Sequence, residues 1–221
     1  AVAPGAPFIP QLVSMTGANS KEAVRLTAAL TIVATVTVPL LVAATLAVLD
    51  VETRFAPWRF LVPLLVVLVL PLVAGGALRD RRPEIANPAA RWLVSLANVT
   101  LLAALAIVIV LDAGGALRVF ETLFGTGALL VMAVFVLATI VVGWFTGGPT
   151  PQNRRVLALG TAGRNINIAL FLATGAFPTS EADASIVAFA IIMLVVSLLV
   201  AWYWRQHPLA GEVESSTNVT D

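Results

Sequence analysis

At 221 residues, 59% hydrophobic and 11% charged with a net charge of +1, the chain is neither an ordinary soluble domain nor a disordered one. No basic cluster points to nucleic acid, and the absence of cysteine removes disulfides, thiolate metal sites and a cysteine nucleophile. The single histidine, His207, sits between Gln206 and Pro208 and reads as an interfacial residue rather than a metal ligand.

Apolar stretches recur along the chain, each long enough to cross a hydrocarbon core about 30 Å thick. A short amphipathic or half-crossing segment is expected at about Pro7–Met15, followed by full spans at Thr27–Leu49, Trp58–Leu78, Trp92–Leu111 and Leu123–Phe145. A polar-interrupted span fills Val156–Phe177, and a last full span covers Ile186–Trp204. Ala1 is not an initiator Met, and no basic segment precedes an apolar core, so no signal peptide is expected. The chain therefore reads as a fragment or a truncated gene product.

Arginine and lysine give the orientation. Lys21, Arg25, Arg79, Arg81, Arg82, Arg91, Arg154, Arg155 and Arg205 fall on one side if the spans alternate. Arg54, Arg59 and Arg118 fall on the other, with Asp50, Glu52, Asp112, Glu121, Glu181 and Asp183. The positive-inside rule makes the first side cytoplasmic, in a cell (inner) membrane. The tail 206–221 is then a polar cytoplasmic segment, and its Asn218 sequon carries no glycan. Trp58, Trp92, Trp144, Trp202 and Trp204 lie near span ends, as interfacial anchors do.

The polar interruption is the informative stretch: Leu157-Ala-Leu-Gly-Thr-Ala-Gly-Arg-Asn-Ile-Asn-Ile-Ala-Leu170. An arginine at the bilayer centre costs about 2.5–3.5 kcal/mol even on lenient insertion scales, so Arg164 needs a reason to be there. Gly163 loosens the helix beside it. Irregular backbone at that depth survives only inside protein or against a watery cavity, which is how secondary transporters build substrate sites.

An internal repeat supports this. Laying Gly5 on Gly163 also lays Thr16-Gly-Ala on Thr174-Gly-Ala and Leu40-Leu-Val-Ala on Leu198-Leu-Val-Ala. Gly5-Ala-Pro-Phe-Ile-Pro10 then corresponds to the stretch from Gly163 to Ile168. Pro7 and Pro10 remove backbone donors and are expected to prevent a regular helix through that turn, leaving carbonyls free. With alternating spans the two units run in opposite directions, an inverted repeat. The expected fold is thus an all-α membrane protein of the inverted-repeat transporter class, with two crossing broken helices. Residues 1–50 would end a first repeat, 51–205 would form a second five-span repeat with its broken helix at 156–177, and 206–221 the tail.

In Gly5-Ala-Pro-Phe-Ile-Pro-Gln11, Thr16-Gly-Ala-Asn19 and Leu159-Gly-Thr-Ala-Gly-Arg-Asn-Ile166 the chain resembles the C-terminal part of the bile acid:sodium symporter family. The resemblance runs over roughly residues 4–205. It implies two inverted five-helix repeats whose broken helices cross at mid-membrane, with most of the first repeat preceding Ala1. It also implies an anionic organic substrate and sodium as the coupling ion, with no resident cofactor. The ion-binding positions carry over poorly. Ile9 and Pro10 stand where a typical member has Ser-Asn, Ala23 replaces a serine, Thr161 an acidic residue and Asn165 a glutamine. Thr27 is retained, and Ala162 and Arg164 could offer carbonyls. A hard cation wants several well-placed oxygens, and a fixed guanidinium repels it.

Two readings of Arg164 follow. It supplies permanently the positive charge that sodium supplies in coupled relatives, binding an anionic substrate with Asn165, Asn167 and Gln11 at a crossover shaped by Pro7 and Pro10. Or it pairs with a carboxylate outside this chain or caps carbonyls freed by the break. Two amides within three residues exceed what one break needs, which favours a lining role for Asn165 and Asn167. The function expected is secondary transport of a small organic anion by alternating access. A sodium-independent or proton-linked carrier and a truncated, non-transporting remnant are the alternatives. No Ser/His dyad, HExxH or paired intramembrane Asp suggests an enzyme.

Overall fold

The computed structural model describes residues 3–50, 55–111, 125–176 and 182–207. The first residues of the expected Leu123–Phe145 span, Phe177, Glu52, Arg54, Asp112, Arg118, Glu121, Glu181 and the tail beyond His207 lie outside them.

The described chain is helical: α1 Ile9–Met15, α2 Ser20–Val48, α3 Pro57–Arg81, α4 Pro83–Leu111, α5 Ala128–Thr146, α6 Pro151–Ala162, α7 Ile166–Ala176 and α8 Ala182–Gln206. Among the described residues α2, α3, α5 and α8 are long and apolar enough to cross a membrane, so this is a multi-pass membrane protein. Asn19 moves the start of α2 seven residues ahead of the expected Thr27, because its side chain accepts the Lys21 N–H at 3.0 Å. A π-helical turn at Leu65–Val69 interrupts α3 between Pro63 and Pro71. The arginine-rich connection after α3 is tighter than its composition suggests. Arg82 alone leaves helical geometry, and Pro83 opens α4 in the first position, where a missing N–H costs nothing.

Pro10 departs from expectation for the same reason. It lies in the first turn of α1 and begins that helix rather than breaking it. The non-helical stretch is 3–8 and includes Pro4 and Pro7, so Pro7 lies outside the helix as expected and only Pro10 falls within it.

Three clusters make the interior. Ala6, Ile9, Leu12 and Val13 of the first segment pack on Val156 and Leu159 of α6 and Ala201 of α8. Ala34 and Val38 of α2 meet Leu64 of α3 and Ile168 and Leu172 of α7. Val136 and Ile140 of α5 meet Ala158 and Ala162 of α6 and Met193 of α8. Small residues set these distances, as expected where lipid, not water, is the competitor for apolar contact. A Cβ at Gly143 would collide with the Ala158 Cα and the Leu157 carbonyl. Outside the clusters large apolar side chains stay exposed, Val48 at 84% and Phe145 at 79% among them, a surface suited to lipid.

Trp58 and Trp202 are exposed near helix ends, as anchors would be, whereas Trp92 is exposed in the interior of α4. Trp144 and Trp204 do something else: half-buried, they pack on each other with ring centroids 5.3 Å apart.

Candidate functional site at the chain crossing

Two non-helical segments meet inside the helix assembly. α6 ends at Ala162, Gly163 turns extended at φ −69° and ψ 113°, and α7 begins at Ile166. Pro4 and Arg164 form an isolated antiparallel bridge there. The Asn165 N–H donates to the Ala3 carbonyl at 2.5 Å. Backbone that the two non-helical segments leave unpaired is thus partly satisfied by their pairing.

Glycine permits the approach at both points. Gly5 has φ +93°, and a Cβ there would lie 2.9 Å from the Thr31 backbone nitrogen. A Cβ at Gly163 would lie 2.5 Å from Ile9 Cδ1. The Gly5 carbonyl accepts from Asn165 Nδ2 at 3.3 Å and lies 3.3 Å from the Thr31 hydroxyl, whose single hydrogen can go to it or to the Thr27 carbonyl at 2.8 Å. Asn165 Oδ1 accepts the Ile168 N–H at 3.3 Å and so caps α7. Asn165 is buried, and both ends of its amide are engaged by the fold. Asn165 thus serves the helix break, and it also lines two of the cavities described below.

Arg164 is held differently. Its backbone N–H donates to the Met193 sulfur at 3.1 Å, anchoring the break to α8. The guanidinium carbon lies 5.6 Å from the Phe135 ring centroid, within cation–π range. Its Nε is buried and makes no hydrogen bond among the described residues. The residue borders a cavity of about 360 Å³ lined by Leu26, Leu30, Phe135, Thr139, Thr161 and others. It also borders one of about 240 Å³ with Met132, Asn165, Ser185 and Phe189.

A third cavity, about 300 Å³, gathers Gly5, Pro7, Pro10, Thr27, Thr31, Asn165 and Asn167. α2 runs between this cavity and the largest Arg164 cavity: Leu26 and Leu30 line one, Thr27, Ala28 and Thr31 the other. The structure therefore brings Pro7, Pro10, Thr27, Asn165 and Asn167 together and sets the Arg164 side chain apart from Asn167. Gln11 is exposed on α1 and lines none of the three.

The ion-binding candidates divide the same way. Thr161 borders an Arg164 cavity, and its hydroxyl lies 2.8 Å from the Thr139 carbonyl and 3.0 Å from that of Ala158, either of which it can donate to. Thr27 borders the other cavity and donates to the Ala23 carbonyl at 2.8 Å. Ala162 is buried in the α5–α6–α8 cluster. No carboxylate, imidazole or thiol lines any of the three cavities, and no His/Cys/Asp/Glu group among the described residues could hold a metal.

Sequence reasoning missed Arg155, Thr31 and Met193. Arg155, grouped with the surface cations, is 1% exposed. Its helical period carried the signal: once Pro151 starts α6, Arg155 shares a face with Leu159 and Ala162.

The model of the Sodium Bile acid symporter family matches residues 1–143. That range holds the first segment and α1–α4 and stops short of Gly163–Asn165. No curated protein matches the chain.

Proposed function

The chain belongs to the sodium bile acid symporter family, whose members are transporters, and from that premise we propose that it carries a small organic anion by alternating access without sodium coupling. The observation that carries this reading is the Arg164 guanidinium. It stands at the crossing of two interrupted segments, half-buried beside a largely apolar cavity, with no carboxylate in the lining and Nε unbonded among the described residues. A desolvated, permanently charged fork of donors is a site for carboxylate or sulfate. An apolar surround strengthens that attraction.

Sodium coupling is disfavoured by the placement of the family-type positions. Thr27 and Thr161 border different cavities with α2 between them, and each hydroxyl hydrogen has a carbonyl within reach inside the helices. The antiparallel Pro4–Arg164 bridge and the repeated Thr-Gly-Ala triplets support an inverted repeat about the crossing. The arginine distribution supports insertion in the cell membrane with the C-terminus cytoplasmic.

The experiment is uptake of a panel of carboxylates and sulfated organic anions into proteoliposomes carrying the full-length protein, with sodium outside or replaced by choline. Uptake indifferent to sodium and reduced at least tenfold by Arg164→Gln is expected, a loss of about 1.4 kcal/mol or more in binding. Wild-type transport by Arg164→Gln would remove Arg164 from the substrate site. Sodium-stimulated uptake would restore ordinary coupling.

A further inference from the structure

Away from the crossing, the first turns of α2 and the last turns of α3 enclose a cavity of about 520 Å³ lined by Ser20, Lys21, Val24, Arg25, Arg79 and Asp80. The cations come from two elements. Lys21 and Arg25 lie one turn apart ahead of the apolar run of α2, and Arg79 follows Leu78 where the apolar run of α3 ends. All three therefore stand at one end of two neighbouring spans, at the depth where headgroups begin.

The charges are partly committed. Arg25 pairs with Glu22 at 2.9 Å in an exposed, single-turn contact. Among the described residues no ion pair is formed by Lys21 or Arg79, and Asp80 is the one carboxylate in the lining. On the apolar side the lining continues into exposed hydrocarbon, with Val24 at 44% and neighbouring Leu78 at 41% exposure. Cations above and bare apolar surface below match a ligand that is anionic at its head and hydrocarbon beneath.

We infer that the cavity between Lys21, Arg25 and Arg79 binds the phosphate of an anionic phospholipid, with an acyl chain lying along Val24 and Leu78. Basic pockets between spanning helices hold anionic headgroups in this way. A soluble anion fits less well. Three exposed cations facing one carboxylate attract a free ion only weakly, and salt screens them within about 10 Å. A lipid is held at high local concentration by its own chains, so the same few contacts suffice. None of these cations borders the cavities at the crossing, and Val24 is the one residue this lining shares with them.

The test is native mass spectrometry of the full-length protein equilibrated with phosphatidylcholine vesicles doped with phosphatidylglycerol, counting bound lipids of each kind. Retention of phosphatidylglycerol over phosphatidylcholine is expected, falling about fivefold for each of Lys21→Gln and Arg79→Gln. Asp80→Asn is expected to raise retention, a change of opposite sign that stands even if the cation variants fold poorly. Arg91→Gln, a cation outside the cavity, is expected to leave retention unchanged. Equal lipid selectivity in Lys21→Gln, Arg79→Gln and Asp80→Asn would overturn the site. Displacement of the lipid by dissolved glycerol phosphate at the same concentration would overturn the lipid in favour of a soluble anion.

Discussion

Arg155 donates from Nη1 to the Thr16 carbonyl at 2.6 Å, joining residues 139 positions apart. Its Nη2 donates to the His207 carbonyl at 2.9 Å, and its guanidinium carbon lies 5.9 Å from the Trp204 ring centroid. Thr16 closes α1 and His207 follows α8, so one buried cation meets the carbonyl ends of two helices, where the helix dipole is negative. α1, α6 and α8 are thereby tied into one body.

Replacing Arg155 with Met is expected to lower stability by roughly 3 kcal/mol, because charged hydrogen bonds are lost and two carbonyls are left without their donor. Arg155→Lys is expected to recover less than half, since an ammonium cannot fork between two carbonyls. Thermal unfolding in detergent measures this. Wild-type stability in Arg155→Met would show the strap to be energetically idle.

The two glycines of the crossing are expected to differ in sensitivity. At Gly5 a Cβ meets the Thr31 backbone at 2.9 Å and the residue sits at φ +93°, so Gly5→Ala is expected to cost about 3 kcal/mol. At Gly163 the obstacle is the flexible end of Ile9, and Gly163→Ala is expected to cost about 1–2 kcal/mol. Ile9→Val removes the nearest atom and should relieve part of the Gly163→Ala loss but none of the Gly5→Ala loss. Equal costs, or no coupling to Ile9, would contradict this packing.

Asn165 separates a scaffold role from a ligand role. Asn165→Ala loses the α7 cap and the tie to Gly5 together, for about 2 kcal/mol of stability. Asn167 is exposed and carries no such load, so Asn167→Ala is expected to leave stability within about 0.5 kcal/mol of wild type. Unfolding midpoints of the two variants, set beside their uptake rates, decide the point. An Asn165→Ala protein of unchanged stability would return that amide to the substrate.

Sodium dependence offers a fourth test. Thr161→Val is expected to cost about 0.6–1.7 kcal/mol through its link to Thr139, with Thr27→Val losing less because its bond is local. Neither change should alter the response of uptake to sodium. A sodium requirement that appears or vanishes in either variant would place an ion at that hydroxyl.

Composition and periodicity alone pointed to the four membrane-crossing helices α2, α3, α5 and α8, because twenty apolar residues have few other fates in water or lipid. Gly163-Arg164-Asn165 announced the interruption in the same way: a charge and a flexible residue at span depth are too costly to be incidental. Local pattern misread Pro10, which looks like a breaker but is harmless in a first helical turn. It also misread Arg155 and Trp204, whose partners come from segments far along the chain.

The tertiary structure alone decided which polar groups face one another. Sequence order places Arg164, Asn165 and Asn167 within four residues, yet the crossing turns Arg164 toward Phe135 and leaves Asn167 with Pro7 and Pro10 across α2. Arg164 is in extended backbone and Asn167 already in the first turn of α7, so the change of backbone geometry between them sends the two side chains in different directions. Which face holds a cavity depends on helices α2, α5 and α8, and no local stretch of sequence encodes their positions.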